Sequence, residues 1–382
     1  MRFSTRAIHV GQKPDPTTGA ITPPVYLTST YALESPTQTK GYDYTRHGNP
    51  NYTFLEETLA SLEDAKYATV FSSGMGALSA ASCLLSTGDR VIALNEVYGG
   101  TYRLFVDHLK NFGIDFHLIE SEDEEGLKKA LAPPTKMLLV ETPTNPQLRI
   151  SDIAKVSAMA HERDLLVIVD NTFASPYFQN PLSLGADIVW HSTTKYISGH
   201  SDLIGGVLIT NDRGLKHKFD IARLTLGTNP SPFDAWLTSR GVKTLSLRME
   251  QHQKNGLALA HLLENHPLVK KVHHPALTSH PGHVIAKKQM RGFSGVFSVE
   301  FNLSMEKTLK LLSSLKLFSL GISLGGVESL VNHSATMSHA PYPREKRLEM
   351  GITDSLVRIS AGIEDTEDLL EDMGKALLDI HG

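Results

Sequence analysis

Between residues 68 and 210, short apolar runs alternate with segments in which apolar residues recur every three or four positions. The runs have the length of β-strands and the periodic segments that of helices. Strands are predicted at residues 68–73, 90–94, 115–119, 136–141, 165–172 and 186–190, with a further apolar run at 203–210. This alternation is typical of right-handed βαβ units, so we predict an α/β fold with a mostly parallel sheet.

Helical spacing in the same region predicts helices at residues 52–64, 74–85, 105–112, 122–131 and 153–162. A long helical pattern from Asp234 to Glu264 then connects to a second region. There, strands are predicted at 297–301, 320–324 and 356–360, and helices at 306–315 and 365–380. We expect a large domain over residues 46–245 and a smaller C-terminal α/β domain over 246–382.

Residues 1–45 are predicted to form an N-terminal arm, since frequent prolines break any regular element. The arm has more aromatic side chains than a solvated tail, including Tyr26, Tyr42 and Tyr44. We therefore expect it to pack on a neighbouring subunit.

Composition narrows the class of protein. The chain has 382 residues, an apolar content of 41% and a net charge of −4, which gives no electrostatic footprint for nucleic acid or an anionic membrane. The single cysteine, Cys83, fits a reducing compartment and is expected to be buried in a helix of small residues. The N-terminus does not have the pattern of a signal peptide, and the histidines show no metal-ligand spacing. We expect a cytoplasmic protein without a metal.

Polar residues stand at the predicted strand ends. Glu141 and Asn145 follow one strand, Asp170 ends the next, and residues 192–202 follow a third. Ligands of parallel α/β sheets bind outside the carboxyl ends of the strands, so these residues are expected to share one edge.

Lys195 is the central residue of this edge, because it lies between two apolar runs with hydroxyls beside it. Burial lowers the pKa of an amine and makes a larger fraction of it nucleophilic, as a Schiff-base lysine requires. The alternative is an ordinary lysine that reaches water at a strand end.

The surrounding residues match the needs of pyridoxal 5'-phosphate (PLP). Lys195 would bind its aldehyde, Asp170 would pair with its ring nitrogen, and Tyr98 could stack on its ring. The phosphate would be held by the start of a helix and by two hydroxyls, contributed by Gly74, Met75, Ser192 and Thr194.

Arg358 is the candidate for binding a substrate carboxylate, because an arginine inside an apolar strand is costly without an anion. Taken singly, Asp170 could instead be a helix cap, and Tyr98 a core or rim residue. The combination of all these groups favours a PLP site over the simpler explanations.

The whole set resembles the Cys/Met metabolism PLP-dependent enzymes, which include cystathionine γ-synthases, γ-lyases and β-lyases and methionine γ-lyases. The resemblance covers nearly the whole chain and rests on these motifs: Tyr44-Thr-Arg-His-Gly-Asn-Pro50, Ser72-Ser-Gly-Met75, Val97-Tyr-Gly-Gly100, Glu141-Thr-Pro-Thr-Asn-Pro146, Val169-Asp-Asn-Thr-Phe173, His191-Ser-Thr-Thr-Lys-Tyr196, Gly199-His-Ser-Asp202, Ser323-Leu-Gly-Gly326 and Leu356-Val-Arg-Ile-Ser360. It implies the PLP-dependent transferase fold of the aspartate aminotransferase type and a homotetramer built from dimers with shared active sites.

The resemblance also implies roles for further residues. Tyr44 and Arg46 would reach the cofactor phosphate of the neighbouring subunit, and Thr172 would contact the cofactor. The implied substrate site consists of Arg358, Asn145, Ser323, Arg103 and Glu141. Lys195 and Tyr98 are the implied catalytic residues.

For the reaction, the resemblance implies γ-elimination or γ-replacement on cystathionine or O-acyl-homoserine substrates. Many γ-synthases and γ-lyases have a glutamate before the Ser-Leu-Gly-Gly motif, where this chain has Ile322. A cystathionine β-lyase or a methionine γ-lyase is therefore the alternative, although Gly99 and Gly100 stand where methionine γ-lyases typically have a cysteine.

Other classes of protein fit less well. The spacing of Ser192 and Lys195 matches the S-x-x-K signature of penicillin-recognising enzymes, but the companion motifs are missing. Gly74 and Gly76 after a strand imitate a dinucleotide-binding turn, but the third glycine position is Ser79. A non-catalytic scaffold is a further alternative, but the expected catalytic residues are present.

Overall fold

A computed structural model describes residues 1–120, 124–338, 340 and 343–381. The strands within these residues are β1 (Tyr67–Phe71), β2 (Arg90–Leu94), β3 (Asp115–Ile119), β4 (Met137–Glu141), β5 (Leu166–Asp170), β6 (Ile188–His191), β7 (Gly206–Thr210), β8 (Val269–His273), β9 (Val296–Phe301), β10 (Ser319–Leu320), β11 (Leu330–His333) and β12 (Leu356–Ser360). The α-helices are α1 (Phe3–His9), α2 (Pro50–Leu62), α3 (Gly74–Ser82), α4 (Gly99–Arg103), α5 (Glu124–Leu131), α6 (Ile153–His161), α7 (Ser175–Phe178), α8 (Arg213–Leu226), α9 (Pro232–Val242), α10 (Leu245–Glu264), α11 (His283–Gln289), α12 (Met305–Ser314), α13 (Arg344–Glu349) and α14 (Thr366–His381).

Within the described residues, the first seven strands form one sheet in the order β1-β7-β6-β5-β4-β2-β3. Strands β2 to β6 run parallel to one another, and β7 is antiparallel to both β6 and β1. Alternate residues of the central strands enter separate apolar clusters on the two faces, which is why these strands read as continuous apolar runs. The predicted mostly parallel α/β sheet is confirmed.

The last five strands form a second sheet in the order β10-β11-β12-β9-β8, again within the described residues. Its core is a separate apolar cluster that includes Phe297, Val357 and Leu377. The predicted smaller C-terminal α/β unit is thus present, with β12 at the centre of its sheet.

Several predicted boundaries are wrong. The predicted helix at 105–112 is a π-helical turn, Leu104–His108, followed by a 3-10 turn, Leu109–Phe112. The predicted helix at 234–264 is broken between α9 and α10. A Cβ at Gly241 would lie 2.3 Å from the Ser198 carbonyl oxygen, and Arg248 donates to the Gly241 carbonyl. Of the predicted helix at 122–131, residues 124–131 are helical and the first two lie outside the described residues.

The N-terminal arm is also more regular than predicted, because α1 packs against α2 of the same chain and buries Ala7. The expected burial of Cys83 is wrong, since α3 ends at Ser82 and leaves the cysteine exposed beyond it. The sequence analysis also missed α8, β8 and β11.

Candidate active site

A cavity of about 280 Å³ lies at the carboxyl edge of the large sheet. It is lined by most of the predicted site residues: Gly74, Met75, Tyr98, Glu141, Asn145, Asp170, Thr172, Ser192, Thr194, Lys195, Ser323 and Arg358. These residues come from positions up to 284 apart in the chain, so the fold brings together groups that the sequence only suggested.

Lys195 lies on the loop that joins β6 to β7. Its Nζ donates to Ser323 Oγ at 2.6 Å, and no acidic side chain forms an ion pair with it among the described residues. Burial, assisted by the nearby Arg358 guanidinium, lowers the pKa of Lys195 to about 8. At pH 7 about a tenth of such amines are neutral, far more than for an exposed lysine.

Asp170 ends β5 and lies opposite Glu141 of β4 in the sheet register. Burial raises the pKa of both carboxyl groups, and that of Glu141 is raised further by the Asp170 charge, well above its ordinary value. Asp170 Oδ1 accepts from the Thr172 N–H at 2.9 Å, which opposes the effect of burial. Of the two, Glu141 therefore carries the proton more readily, and Asp170 keeps the negative charge.

Glu141 holds two loops of the site in place. Its Oε2 accepts from the Tyr98 N–H at 2.7 Å and its Oε1 from the Asn145 N–H at 2.8 Å. Tyr98 itself is about half exposed and lines the cavity. Glu141 thus orients residues at the site through its backbone contacts.

The start of α3 forms another part of the cavity wall. Ser73 caps the helix by accepting from the Gly76 N–H at 2.8 Å, and Trp190 Nε1 donates to the Gly74 carbonyl at 2.8 Å. A Cβ at Gly74 would lie 2.9 Å from Ser192 Cβ, so only glycine allows this close approach. The start of the helix therefore lies against Ser192, an arrangement that suits an anion.

Arg358, on β12, reaches this edge from the second sheet. Its Nη1 donates to Asn145 Oδ1 at 2.9 Å and its Nη2 to the Ser323 carbonyl at 2.6 Å, while Nε is buried without a partner. The side chain is 5% exposed and has no ion pair with any described carboxylate. Burial lowers the pKa of Arg358 to about 10. A buried cation without a counter-ion is suited to bind an anionic ligand.

Ser323 is placed by an unusual backbone conformation, with a φ of 115°. The predicted strand at 320–324 is therefore wrong beyond Leu320, because the chain turns there to bring Ser323 between Lys195 and Arg358. Such strain is tolerated where the surroundings fix the residue, which is typical of active sites.

Three predicted residues do not line the cavity. Arg103 is exposed at the end of α4. Tyr44 lies in the arm and Arg46 directly after it, with the guanidinium 5.5 Å from the tyrosine ring centre. The cavity does include residues that the sequence analysis did not assign, chiefly Ile204. The sequence did place Ile204 next to Gly205, in the same loop as Lys195, and this could have indicated that it lies at the site.

Comparisons with known proteins agree with this geometry. A sequence profile described as Cys/Met metabolism PLP-dependent enzyme matches residues 4–378. The chain is 47% identical over 377 residues to a cystathionine β-lyase of Coxiella burnetii, covering 98% of this chain and 97% of the relative. It is 46% identical over 380 residues to a cystathionine γ-lyase of Bacillus subtilis, covering all of both chains.

A solved structure is equally similar in shape. The cystathionine γ-synthase of Xanthomonas oryzae pv. oryzae, in complex with aminoacrylate and cysteine, superposes with a TM-score of 0.97 at 41% identity, covering 100% of this chain and 99% of the other. The chain belongs to the Cys/Met metabolism PLP-dependent enzyme family.

As a member of this PLP-dependent family, the chain has a donor set that fits the cofactor. The cavity has one amine with a lowered pKa, a carboxylate at a strand end and the start of a capped helix beside Ser192 and Thr194. Across the described ranges, no cluster of acidic, cysteine and histidine side chains is arranged to hold a metal. No helix in the same ranges is long and apolar enough to cross a bilayer.

Proposed function

We propose that this protein is a PLP-dependent transsulfuration enzyme that performs γ-elimination or γ-replacement on cystathionine or O-acyl-homoserine substrates. The observation that carries the proposal is the cavity lined by Lys195, Asp170 and Arg358, the last of which has no ion pair among the described residues. Its relatives named above are cystathionine lyases and a cystathionine synthase, which supports the same substrate class.

When bound, PLP supplies an electron-withdrawing ring that stabilises negative charge at the substrate α-carbon. Asp170 supports this by holding a proton on the ring nitrogen. Thr172 donates to Asp170 and accepts from the Ser192 N–H at 3.0 Å, so it fixes both groups. Gly74, Met75, Ser192 and Thr194 would hold the phosphate.

Lys195 moves the protons of the reaction. Its lowered pKa lets the free amine accept the α-proton near neutral pH, and Ser323 orients Nζ. For γ-chemistry the same amine also transfers a proton at the β-carbon. Tyr98, at the cavity wall beside α3, would stack on the ring and assist the departing group.

Arg358 sets the orientation of the substrate. Its guanidinium, fixed by Asn145 and the Ser323 carbonyl, binds the α-carboxylate and thereby presents the α-proton to Lys195. Since Arg358 has no other counter-ion among the described residues, the substrate carboxylate neutralises a charge that the fold leaves open.

A second candidate reaction follows from the rim of the cavity. Ile322 is 73% exposed and Ile204 is 62% exposed, and both line the cavity. An apolar rim favours a substrate whose distal part lies against hydrocarbon, so β-elimination of cystathionine or γ-elimination of methionine is the alternative.

Product analysis tests the proposal. With cystathionine, γ-elimination gives cysteine, 2-oxobutanoate and ammonia, whereas β-elimination gives homocysteine, pyruvate and ammonia. With O-succinylhomoserine and cysteine, γ-replacement gives cystathionine and succinate. We expect the γ-products. Pyruvate as the only oxo acid would establish the β-lyase alternative. Activity on methionine alone would establish the methionine γ-lyase alternative.

We further propose a homotetramer in which dimers complete each other's sites. Tyr44 and Arg46 lie outside the cavity of their own chain, and Tyr44 is 43% exposed. In a dimer they would reach the phosphate of the partner. Arg46→Ala should weaken PLP binding, and mixing it with an inactive Lys195→Ala protein should restore part of the activity through hybrid dimers.

A further inference from the structure

Trp190, on β6, lies between the apolar core and the cavity. Its side chain is 5% exposed and belongs to the apolar cluster on one face of the large sheet, yet it also lines the cavity. It stands opposite Asp170 in the register of β5 and β6, and Ser192 follows two positions later in the same cavity wall. The mechanism proposed above gives Trp190 no role.

The indole is bonded to the first residue of α3. Its Nε1 donates to the Gly74 carbonyl at 2.8 Å, within the usual range for an N–H···O bond. A buried indole N–H needs an acceptor, so the bond by itself fits an ordinary core tryptophan. The acceptor, however, stands where α3 lies against Ser192, since a Cβ at Gly74 would be 2.9 Å from Ser192 Cβ. The bond therefore fixes the helix start at the proposed phosphate site.

The Gly74 carbonyl belongs to the same peptide group as the Met75 N–H. This peptide is trans, so its C=O and N–H point in opposite directions, and a donor that holds the carbonyl also fixes the direction of the N–H. The next two N–H groups are already used, because Gly76 donates to Ser73 Oγ at 2.8 Å and Ala77 to the Ser73 carbonyl at 3.0 Å. The Met75 N–H has no acceptor among the described residues.

We propose that Trp190 is a positioning residue for the cofactor phosphate, and that it acts by orienting and polarising the peptide between Gly74 and Met75. The proposal rests on the function proposed above, since the phosphate is that of PLP. Hydrogen bonds in a chain polarise one another, so the bond to the carbonyl makes the Met75 N–H a better donor to an anion. Trp190 itself does not have to touch the phosphate.

The chain offers a matched control because it has two tryptophans. Trp236 also donates its indole N–H to a backbone carbonyl, that of Pro23 at 3.0 Å, but it does not line this cavity. Trp190→Phe and Trp236→Phe are therefore compared. In the Trp236→Phe protein, residue 190 is also replaced by benzothienylalanine, which has sulfur in place of the indole N–H and keeps the two-ring shape.

Three ligands are titrated into the cofactor-free proteins by calorimetry: inorganic phosphate, PLP, and pyridoxal, which has the same ring and aldehyde but no phosphate. Trp190→Phe and the sulfur analogue should bind phosphate and PLP about fivefold more weakly, the effect of losing one hydrogen bond. Their affinity for pyridoxal should change less than about twofold. Trp236→Phe should bind all three ligands like the unmodified protein.

The outcomes separate the two proposals. Equal weakening of PLP and pyridoxal would show that Trp190 only shapes the cavity, and unchanged phosphate affinity in the sulfur analogue would equally overturn its role. If the unmodified protein does not take up PLP at all, the proposed function fails and this inference with it.

A spectroscopic measurement tests the role of the peptide directly. With ¹⁵N-labelled methionine in the cofactor-free protein, inorganic phosphate should move the Met75 amide proton downfield, and the sulfur analogue should reduce this shift. Met75→Leu identifies the resonance. A Met75 amide that does not respond to phosphate in the unmodified protein would overturn the proposal even if Trp190→Phe does not fold.

Discussion

Two clusters of charged side chains in this protein are built in opposite ways. Beside β1, Arg223 lies 2.5 Å from Glu56, and Lys216 bridges Glu56 and Asp220 at 3.3 and 2.6 Å. Although burial alone would raise it, the two cations hold the pKa of Glu56 below its ordinary value. In the cavity, by contrast, Lys195 and Arg358 have no acidic partner among the described residues and their pKa values are lowered.

The difference teaches how a structural charge can be told from a functional one. Every charge of the Glu56 cluster is neutralised within the chain, so no charge in the cluster remains to bind a ligand. The cavity instead keeps its cations only partly satisfied, at a cost in folding free energy that a bound anion or cofactor can offset.

The largest expected effect is that of Lys195→Met. The variant should lose the visible absorption band of the bound cofactor and at least about 10³-fold in kcat, because it has neither the attachment point nor the base. Absorbance and product formation measure both. Lys216→Met is the control, since it removes a lysine of the paired cluster and should leave the band intact. Retention of the band in Lys195→Met would contradict the assignment.

Next in size is the contrast between Arg223→Leu and Arg358→Leu. Arg223→Leu leaves Glu56 with one fewer cation and should reduce the free energy of unfolding by about 3–5 kcal/mol, as measured by urea denaturation. Arg358→Leu should change stability little or increase it, yet lower kcat/KM by about 10²-fold or more, since a buried charge pair with the substrate is lost. Equal destabilisation by the two changes would remove the distinction between the clusters.

A smaller effect concerns the stability of the cofactor-free protein. In the fold the Lys195 amine has a pKa of about 8, compared with 10.5 when unfolded. The unfolded chain therefore binds more protons between pH 8 and 10.5, and stability rises with pH across that window. Lys195→Met should be more stable by about 3 kcal/mol at pH 7, an advantage that fades towards pH 10.5. A constant difference across this range would show that the amine is not perturbed.

The smallest expected effect is at the rim. Ile322→Glu places a carboxylate at an exposed site of the cavity, so it should lower KM for cystathionine up to about fivefold through the distal ammonium, with no gain for methionine. Ile322→Gln controls for polarity without charge. An equal change in both variants would mean that the rim does not select by charge.

Much of the site could be predicted because its residues stand at strand ends. The apolar runs located β4, β5 and β6, and the parallel order then placed Glu141, Asp170 and Lys195 on one edge. The contribution of Arg358 from the second sheet could also be predicted, because an arginine in an apolar strand is costly without an anion.

Other features could not be read from local patterns. The break between α9 and α10 depends on a tertiary contact between Gly241 and Ser198, and β11 is short and carries polar residues. The position of Ser323 depends on a positive φ that no propensity suggests. The burial of Glu63 was not predicted either, because a glutamate at the end of a helix normally faces water.

The reversal of β7 has a consequence for how the loaded protein unfolds. Lys195 lies on the segment that turns the chain from β6 into this antiparallel strand, and β7 in turn joins β1 to the sheet. A cofactor held as proposed at that turn, at α3 and at Asp170 would tie three elements together, so we expect the strand to stay paired until the cofactor leaves. Amide hydrogens of β7 should consequently exchange with deuterium more slowly in the loaded protein than in the empty one.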